Sequence, residues 1–180
     1  MGGNMEIEPQ GIARNKIWII YVLDVLKMRL KEEQLAEICD RFSLMGCFDF
    51  SLAINELQKT DLVKCEESPL GRLYSMSALG ESTLEYFVRD LSYTKRKEVA
   101  SALKREADDI YLKSVIGYDY MKLKDGRYRV MLRMIEKDLE VFDITLIANS
   151  KQEAAAMSEN WMKNALKVYE AVYLTLGRDE

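Results

Sequence analysis

Apolar residues recur along the first sixty positions with helical rather than alternating spacing. Between Asn15 and Lys27, the residues Ile17, Ile20, Tyr21, Leu23, Val25 and Leu26 make one broad apolar face, which predicts a helix with Asn15 as its available N-cap. The next segment, KEEQLAEICDRF from Lys31, places Leu35, Ile38 and Phe42 on one stripe. Glu32 and Glu33 fall in its first turn, where carboxylates suit the positive end of the helix dipole. Gly46 punctuates the chain, and Asp49 is the expected cap of a third helix that buries Phe50, Ala53, Ile54 and Leu57. That helix is expected to end near Thr60-Asp61, where Asp tolerates a left-handed conformation.

The pattern changes at Leu62. Leu62 to Glu66 and Arg72 to Met76 are expected to pair as strands, with Glu67-Ser68-Pro69-Leu70-Gly71 turning between them. Ser77 then caps the helix ALGESTLEYFVRDL, whose Leu84, Phe87, Val88 and Leu91 close the core. Tyr93 to Ile116 reads as one long charged helix with Val99, Leu103, Ala107 and Ile110 inward and Leu112 as a further candidate. YDYMKLK, RYRVMLRMI and EVFDITLIA follow as three strands, the first two joined by Asp125-Gly126, a strong two-residue hairpin signal, and the last two by a turn near Lys137-Asp138. Pairing across Asp125-Gly126 puts Met121 and Leu123 with Tyr128, Val130, Leu132 and Met134. It sends Lys122, Lys124, Arg127, Arg129 and Arg133 to the other face beside Tyr118 and Tyr120, and sets Arg133 opposite Asp143. Ser150-Lys151-Gln152-Glu153 is a capping box opening a helix to about Leu176, apolar at Ala154, Met157, Trp161, Ala165, Val168, Tyr169, Val172 and Leu176.

Three short helices, a hairpin and a further helix follow the order of a winged helix-turn-helix with the hairpin as its wing. The expected fold is therefore α+β: a winged helix-turn-helix over residues 1–92, then a helix, a three-stranded antiparallel sheet and a long C-terminal helix over residues 93–180. The last two helices offer more apolar surface than three strands can hide, so the second half is expected to make a homodimer.

Composition narrows the chemistry. Histidine is absent, which removes the commonest general base and metal ligand. Cys39, Cys47 and Cys65 are odd in number and lack CxxC spacing, so they read as reduced thiols. No phosphate-binding, nucleophile-elbow or calcium-loop spacing occurs, and carboxylates such as Asp108-Asp109 and Glu32-Glu33 are adjacent, pointing apart on a helix. No enzymatic activity, metal or cofactor is expected. The longest apolar run, IWIIYVL from Ile17, is too short to span a bilayer, and MGGNMEIEPQ lacks the regions of a signal peptide, so a cytoplasmic location without membrane contact is expected.

A winged helix reads double-stranded DNA by laying its third helix in the major groove. Its outward positions here are Ser51, Leu52, Asn55, Gln58 and Lys59, residue types that reach base edges and phosphates, while Lys64 and Arg72 on the wing can support from the backbone. Charge opposes this. Residues 1–92 hold 10 Lys plus Arg against 15 Asp plus Glu, and affinity for DNA rests largely on neutralising phosphates. Lys31 stands where a cap would be expected, which adds a cation at a cost of about 1 kcal/mol. The alternative that the acidic balance favours is a winged-helix module for protein partners that does not bind DNA. The alternating cations and tyrosines of the second half could bind single-stranded nucleic acid or an acidic ligand, or form an ordinary wet face with cross-strand ion pairs. Trp161 with Met157 and Met162 could line an effector pocket or fill a core or interface.

One stretch carries a family resemblance. Leu73-Tyr74-Ser75-Met76-Ser77-Ala78-Leu79-Gly80, written Y-x-[LM]-[ST]-x-x-G, resembles the wing-to-helix junction of PadR-like and MarR-like bacterial regulators. Over the whole chain the pattern is similar to bacterial domain-of-unknown-function family 4364: an Ile-rich first helix, the helix-turn-helix, the junction from Tyr74 to Phe87 and a strand-rich second half. The resemblance implies a transcription regulator and supplies no operator, effector or pathway.

Overall fold

The structure is a computed structural model and describes residues 9–136 and 139–177. These residues form seven α-helices, one 3-10 turn and two three-stranded antiparallel sheets, an α+β arrangement that divides by packing into two compact units, Met1–Tyr111 and Leu112–Glu180. No helix among the described residues is long and apolar enough to cross a membrane.

The first unit is built around α1 (Pro9–Leu26). From Trp18 to Leu23 this helix is apolar on nearly every side, and Trp18, Ile19, Ile20, Val22 and Leu23 are all buried, each worth about 1.5–3 kcal/mol relative to exposure. Asn15 is not the N-cap: the helix starts earlier, at Pro9, whose fixed φ suits a first turn, and Asn15 is buried inside it. Helix α2 (Glu32–Arg41) buries Leu35 and Ile38, with Phe42 just beyond, and α3 (Cys47–Lys59) buries Phe50, Ala53, Ile54 and Leu57 as expected. Lys31 is the N-cap of α2, and the Gln34 side-chain oxygen accepts the Lys31 N–H at 3.0 Å while the Gln34 amide donates to the Ile110 carbonyl at 2.9 Å. Helix α3 begins two residues before its expected cap. Gly46 is the N-cap, and Asp49 lies in the first turn, where its charge still favours the helix. The helix ends at Thr60, with Asp61 left-handed at φ 54.

Strands β1 (Leu30–Lys31), β2 (Val63–Ser68) and β3 (Gly71–Met76) form a sheet in the order β1-β3-β2. The hairpin is longer and tighter than expected. Only Pro69-Leu70 separate its strands, held by the Ser68 hydroxyl, which accepts the Leu70 N–H at 3.1 Å and donates to the Gly71 carbonyl at 2.8 Å. Ser77 caps α4 (Ala78–Phe87) by accepting the Gly80 N–H at 2.9 Å, and a 3-10 turn, Val88–Asp90, continues it. Leu84 and Leu91 close the core, but Phe87 does not: it is 49% exposed.

The expected single helix from Tyr93 is two, α5 (Tyr93–Arg105) and α6 (Ala107–Val115). Neither Gly nor Pro marks the break. Glu106 closes α5 with its backbone and reaches Arg41 at 2.6 Å, and Asp108 and Asp109 then occupy the first turn of α6. Val99 and Leu103 of α5 belong to the first unit's core. So does Cys39, and burial pushes its thiol up to about 12 from 9. Thiol titration of the native chain is therefore expected to label Cys47 and Cys65, with Cys39 reacting only after denaturation. The unfolded thiol ionises near 9 and the folded one does not. This contribution to stability is complete below about pH 9 and is lost as pH rises towards 12, so urea midpoints measured on either side of pH 9 should fall with rising pH.

The second unit is the sheet β4 (Ile116–Lys122), β5 (Tyr128–Glu136), β6 (Leu139–Ala148), covered by α7 (Lys151–Leu176). The β4–β5 reversal is not a two-residue turn. Leu123 N–H donates to the Arg127 carbonyl at 2.7 Å and Gly126 N–H to the Leu123 carbonyl at 3.1 Å, which leaves a three-residue loop with Gly126 at φ 90. The Asp125 carboxylate fixes it by accepting the Arg127 backbone N–H at 3.0 Å and guanidinium Nε at 2.9 Å. A one-residue slip turns every β4 side chain over. Tyr118, Tyr120 and Lys122 therefore oppose Leu132, Val130 and Tyr128 on the covered side, and Met121 opposes Arg129 on the other. The expected face of five cations and two tyrosines does not exist. The expected turn near Lys137-Asp138 lies outside the described residues. Arg133 does oppose Asp143, and Val141 is an extra residue between the pairs Met134–Phe142 and Ile135–Glu140. Ser150 caps α7 by accepting the Glu153 N–H at 3.1 Å. Trp161 is core: buried, stacked on Phe142, and donating its indole N–H to the Gly117 carbonyl at 3.0 Å.

Candidate nucleic-acid interface

The buried residues of α3 fix which side of it faces outward. With Phe50, Ala53, Ile54 and Leu57 in the core, Ser51, Asn55 and Lys59 recur at four-residue spacing on the opposite side, and all three are exposed. Helix geometry makes them one stripe. Gln58 and Leu52 flank it half-buried. The early start of α3 adds a residue that was not a candidate: Phe48, 62% exposed, extends the stripe by one turn towards the N-terminus. Only recognising Gly46 as the cap would have placed it there.

The side chains are engaged locally. The Ser51 hydroxyl donates to the Cys47 carbonyl at 3.0 Å, the Asn55 amide to the Ser51 carbonyl at 2.7 Å, and the Lys59 ammonium pairs with Glu56 at 2.9 Å. Lys59 holds the Glu56 carboxyl below its ordinary range.

Lys64 and Arg72 do not lie together. The β2–β3 register pairs Lys64 with Ser75 and Arg72 with Glu67, which puts the two cations on opposite faces of the hairpin. Arg72 faces α2, where its guanidinium meets the Glu32 carboxylate at 2.6 Å. The buried Tyr74 donates its hydroxyl to the same oxygen at 2.9 Å, and burial, then this bond and Cys65, hold that phenol above its usual range. Arg72 and Ser51 line one shallow cleft of about 290 Å³ between α2, α3 and β3, with Glu32 and Glu33 on its wall. Lys64 is exposed and has no ion pair among the described residues. Nearby, Arg29 is paired with Glu66 at 3.0 Å.

Most arginines and lysines around α3 thus already face a carboxylate. Exposed pairs of this kind contribute little, so exchanging one for a phosphate costs little, but the displaced carboxylate stays nearby and repels. The arrangement can present a polar stripe to a groove. It offers weak electrostatic attraction.

No curated protein and no solved structure matches this chain significantly. A family model does, across residues 15–176, which takes in α3, the hairpin and the whole second sheet. The chain belongs to the family described as Domain of unknown function (DUF4364).

Proposed function

We propose that this chain is a dimeric, DNA-binding transcription regulator whose residues 1–92 act as a winged helix-turn-helix. In this reading α3 lies in the major groove and the β2–β3 hairpin is the wing beside it. One observation carries the proposal: Phe48, Ser51, Asn55 and Lys59 form an uncovered stripe on the third helix, flanked by a hairpin with exposed Lys64. Asn55 suits bidentate pairing with adenine once it releases the Ser51 carbonyl, and Phe48 suits contact with a thymine methyl. Lys59, Lys64 and Arg72 would exchange carboxylate or water for phosphate, with Ser51 and Gln58 bridging to base edges or backbone. The test is a salt titration of binding to random duplex. The chain is expected to bind at about 50 mM salt and to weaken steeply by 200 mM, and Asn55→Ala with Lys59→Ala to lose about tenfold in affinity. If the native chain and the double variant are equally inert at low salt, the proposal fails.

A second reading, a winged-helix module for a protein partner, is favoured by a specific feature. Glu32, Glu33 and Asp49 surround the N-terminal end of α3, within a unit that is acidic overall. Binding that ignores salt, or no binding to duplex at all, would favour it.

A further inference from the structure

We infer that a second copy of this chain adds to the free edge of the second sheet, β6 against β6, in antiparallel pairing centred on Thr145. The inference rests on the dimer of the proposed function and names the surface that makes it. β6 is the last strand of the sheet, so its outer N–H and C=O groups have no strand partner among the described residues. Such an edge is a template for another strand, and an antiparallel copy related by a two-fold axis closes the assembly at two. The other edge is less available. β4 carries exposed Asp119 and Lys122, charges of the kind that guard an edge.

The residues of β6 fit themselves. The extra residue Val141 interrupts the start of the strand and leaves Phe142–Ala148 as the regular run. That run contains no Lys, Arg or Pro, residues that commonly protect an edge. Centred on Thr145, it matches its own copy end to end: Thr145 meets Thr145, Ile144 meets Leu146, Asp143 meets Ile147, and Phe142 meets Ala148. Asp143 is the one charge in the run, and it does not meet its copy. Within one chain, Leu132 lies beside Ile144 and Val130 beside Leu146 on the covered face. Across the junction that row reads Leu132, Ile144, Leu146, Val130, apolar throughout. Leu146, 38% exposed in the single chain, would be covered by Ile144 of the second copy, and the large Phe142 would face the small Ala148.

Sedimentation equilibrium and oxidative cross-linking of the full chain test this. In a background carrying Cys47→Ser and Cys65→Ser, Thr145→Cys is expected to give a disulfide-linked dimer under mild oxidation. Ile147→Cys, on the same side of the strand but facing Asp143, is expected to cross-link at least tenfold less. Thr145→Lys, which sets two ammonium groups opposite each other, is expected to weaken the dimer at least tenfold with unchanged circular dichroism; if it does not fold, the cysteine pair decides alone. A native dimer in which Thr145→Cys does not cross-link overturns the surface and leaves the dimer and the DNA reading standing. A native chain that is monomeric at 100 µM overturns both the surface and the dimer, while duplex binding through α3 is still decided by its own titration.

Discussion

Trp161→Ala is expected to destabilise the second core by about 3–5 kcal/mol, the range for removing a buried tryptophan. The ring is 2% exposed and stacks on Phe142 at 5.8 Å and 14°, and Phe142 in turn meets Tyr169 edge-on at 5.8 Å. Deletion leaves a void under this aromatic row that Ala154 and Ala165, its small neighbours along the buried side of α7, cannot fill. It also removes the indole donor from the Gly117 carbonyl. Trp161→Phe separates the two losses: it keeps a stacked ring and gives up the hydrogen bond, so about 1–2 kcal/mol is expected. Urea unfolding followed by far-ultraviolet circular dichroism measures both. An alanine variant no more than about 1 kcal/mol less stable than the native chain would mean that Trp161 does not organise this core.

Two glycine-to-alanine changes are expected to have opposite signs. Gly80 opens α4 where the helix passes the hairpin, and a Cβ there would lie 2.1 Å from the Leu62 carbonyl oxygen and 3.1 Å from Met76 Cγ. That carbonyl is backbone and already accepts the Ser77 N–H at 3.3 Å, while the Ser77 hydroxyl holds both the Gly80 N–H and the Asp61 carbonyl. The clash cannot be relieved by turning a side chain, so helix and hairpin must separate. Alanine gains about 1 kcal/mol in helix propensity over glycine, and overpacking of this severity should exceed it, for a net loss of about 2 kcal/mol or more. A Cβ at Gly11, in α1, would meet nothing within 4 Å, so Gly11→Ala keeps the propensity gain and is expected to stabilise by about 0.5–1 kcal/mol. Equal and positive effects at both positions would show that the α4–hairpin contact is loose.

The surroundings of Gly80 also explain why part of this chain was legible as sequence and part was not. The junction motif was visible as a pattern, but its glycine has a reason only once Leu62 is seen beside it. Local signals held: the buried faces of α2 and α3, the hairpin, and the serine caps of α4 and α7 all follow from spacing and nearby hydrogen bonds. What failed depended on distant partners. β1 is two residues long and exists only because Leu30 and Lys31 pair with Tyr74 and Leu73. At the break between α5 and α6, Glu106 meets Arg41 of another helix. In the second sheet Asp125-Gly126 correctly marked a reversal, yet the bonds of the Asp125 side chain chose the longer loop and turned β4 over. The candidate interface shows the same division. The stripe Ser51-Asn55-Lys59 was readable from the buried positions of α3, whereas the placement of Lys64 and Arg72 on opposite faces, and the capture of Arg72 by Glu32, depend on strand register and on α2.

In the proposed function the outward side of α3, with the hairpin next to it, is the surface that meets DNA. Backbone amide resonances of the full chain, followed while a short duplex is added at low salt, test it most directly. The resonances that move are expected to gather at Phe48, Ser51, Asn55, Lys59 and Lys64 and to return as salt is raised. Shifts confined to Leu112–Glu180, or none at any duplex concentration, would contradict it.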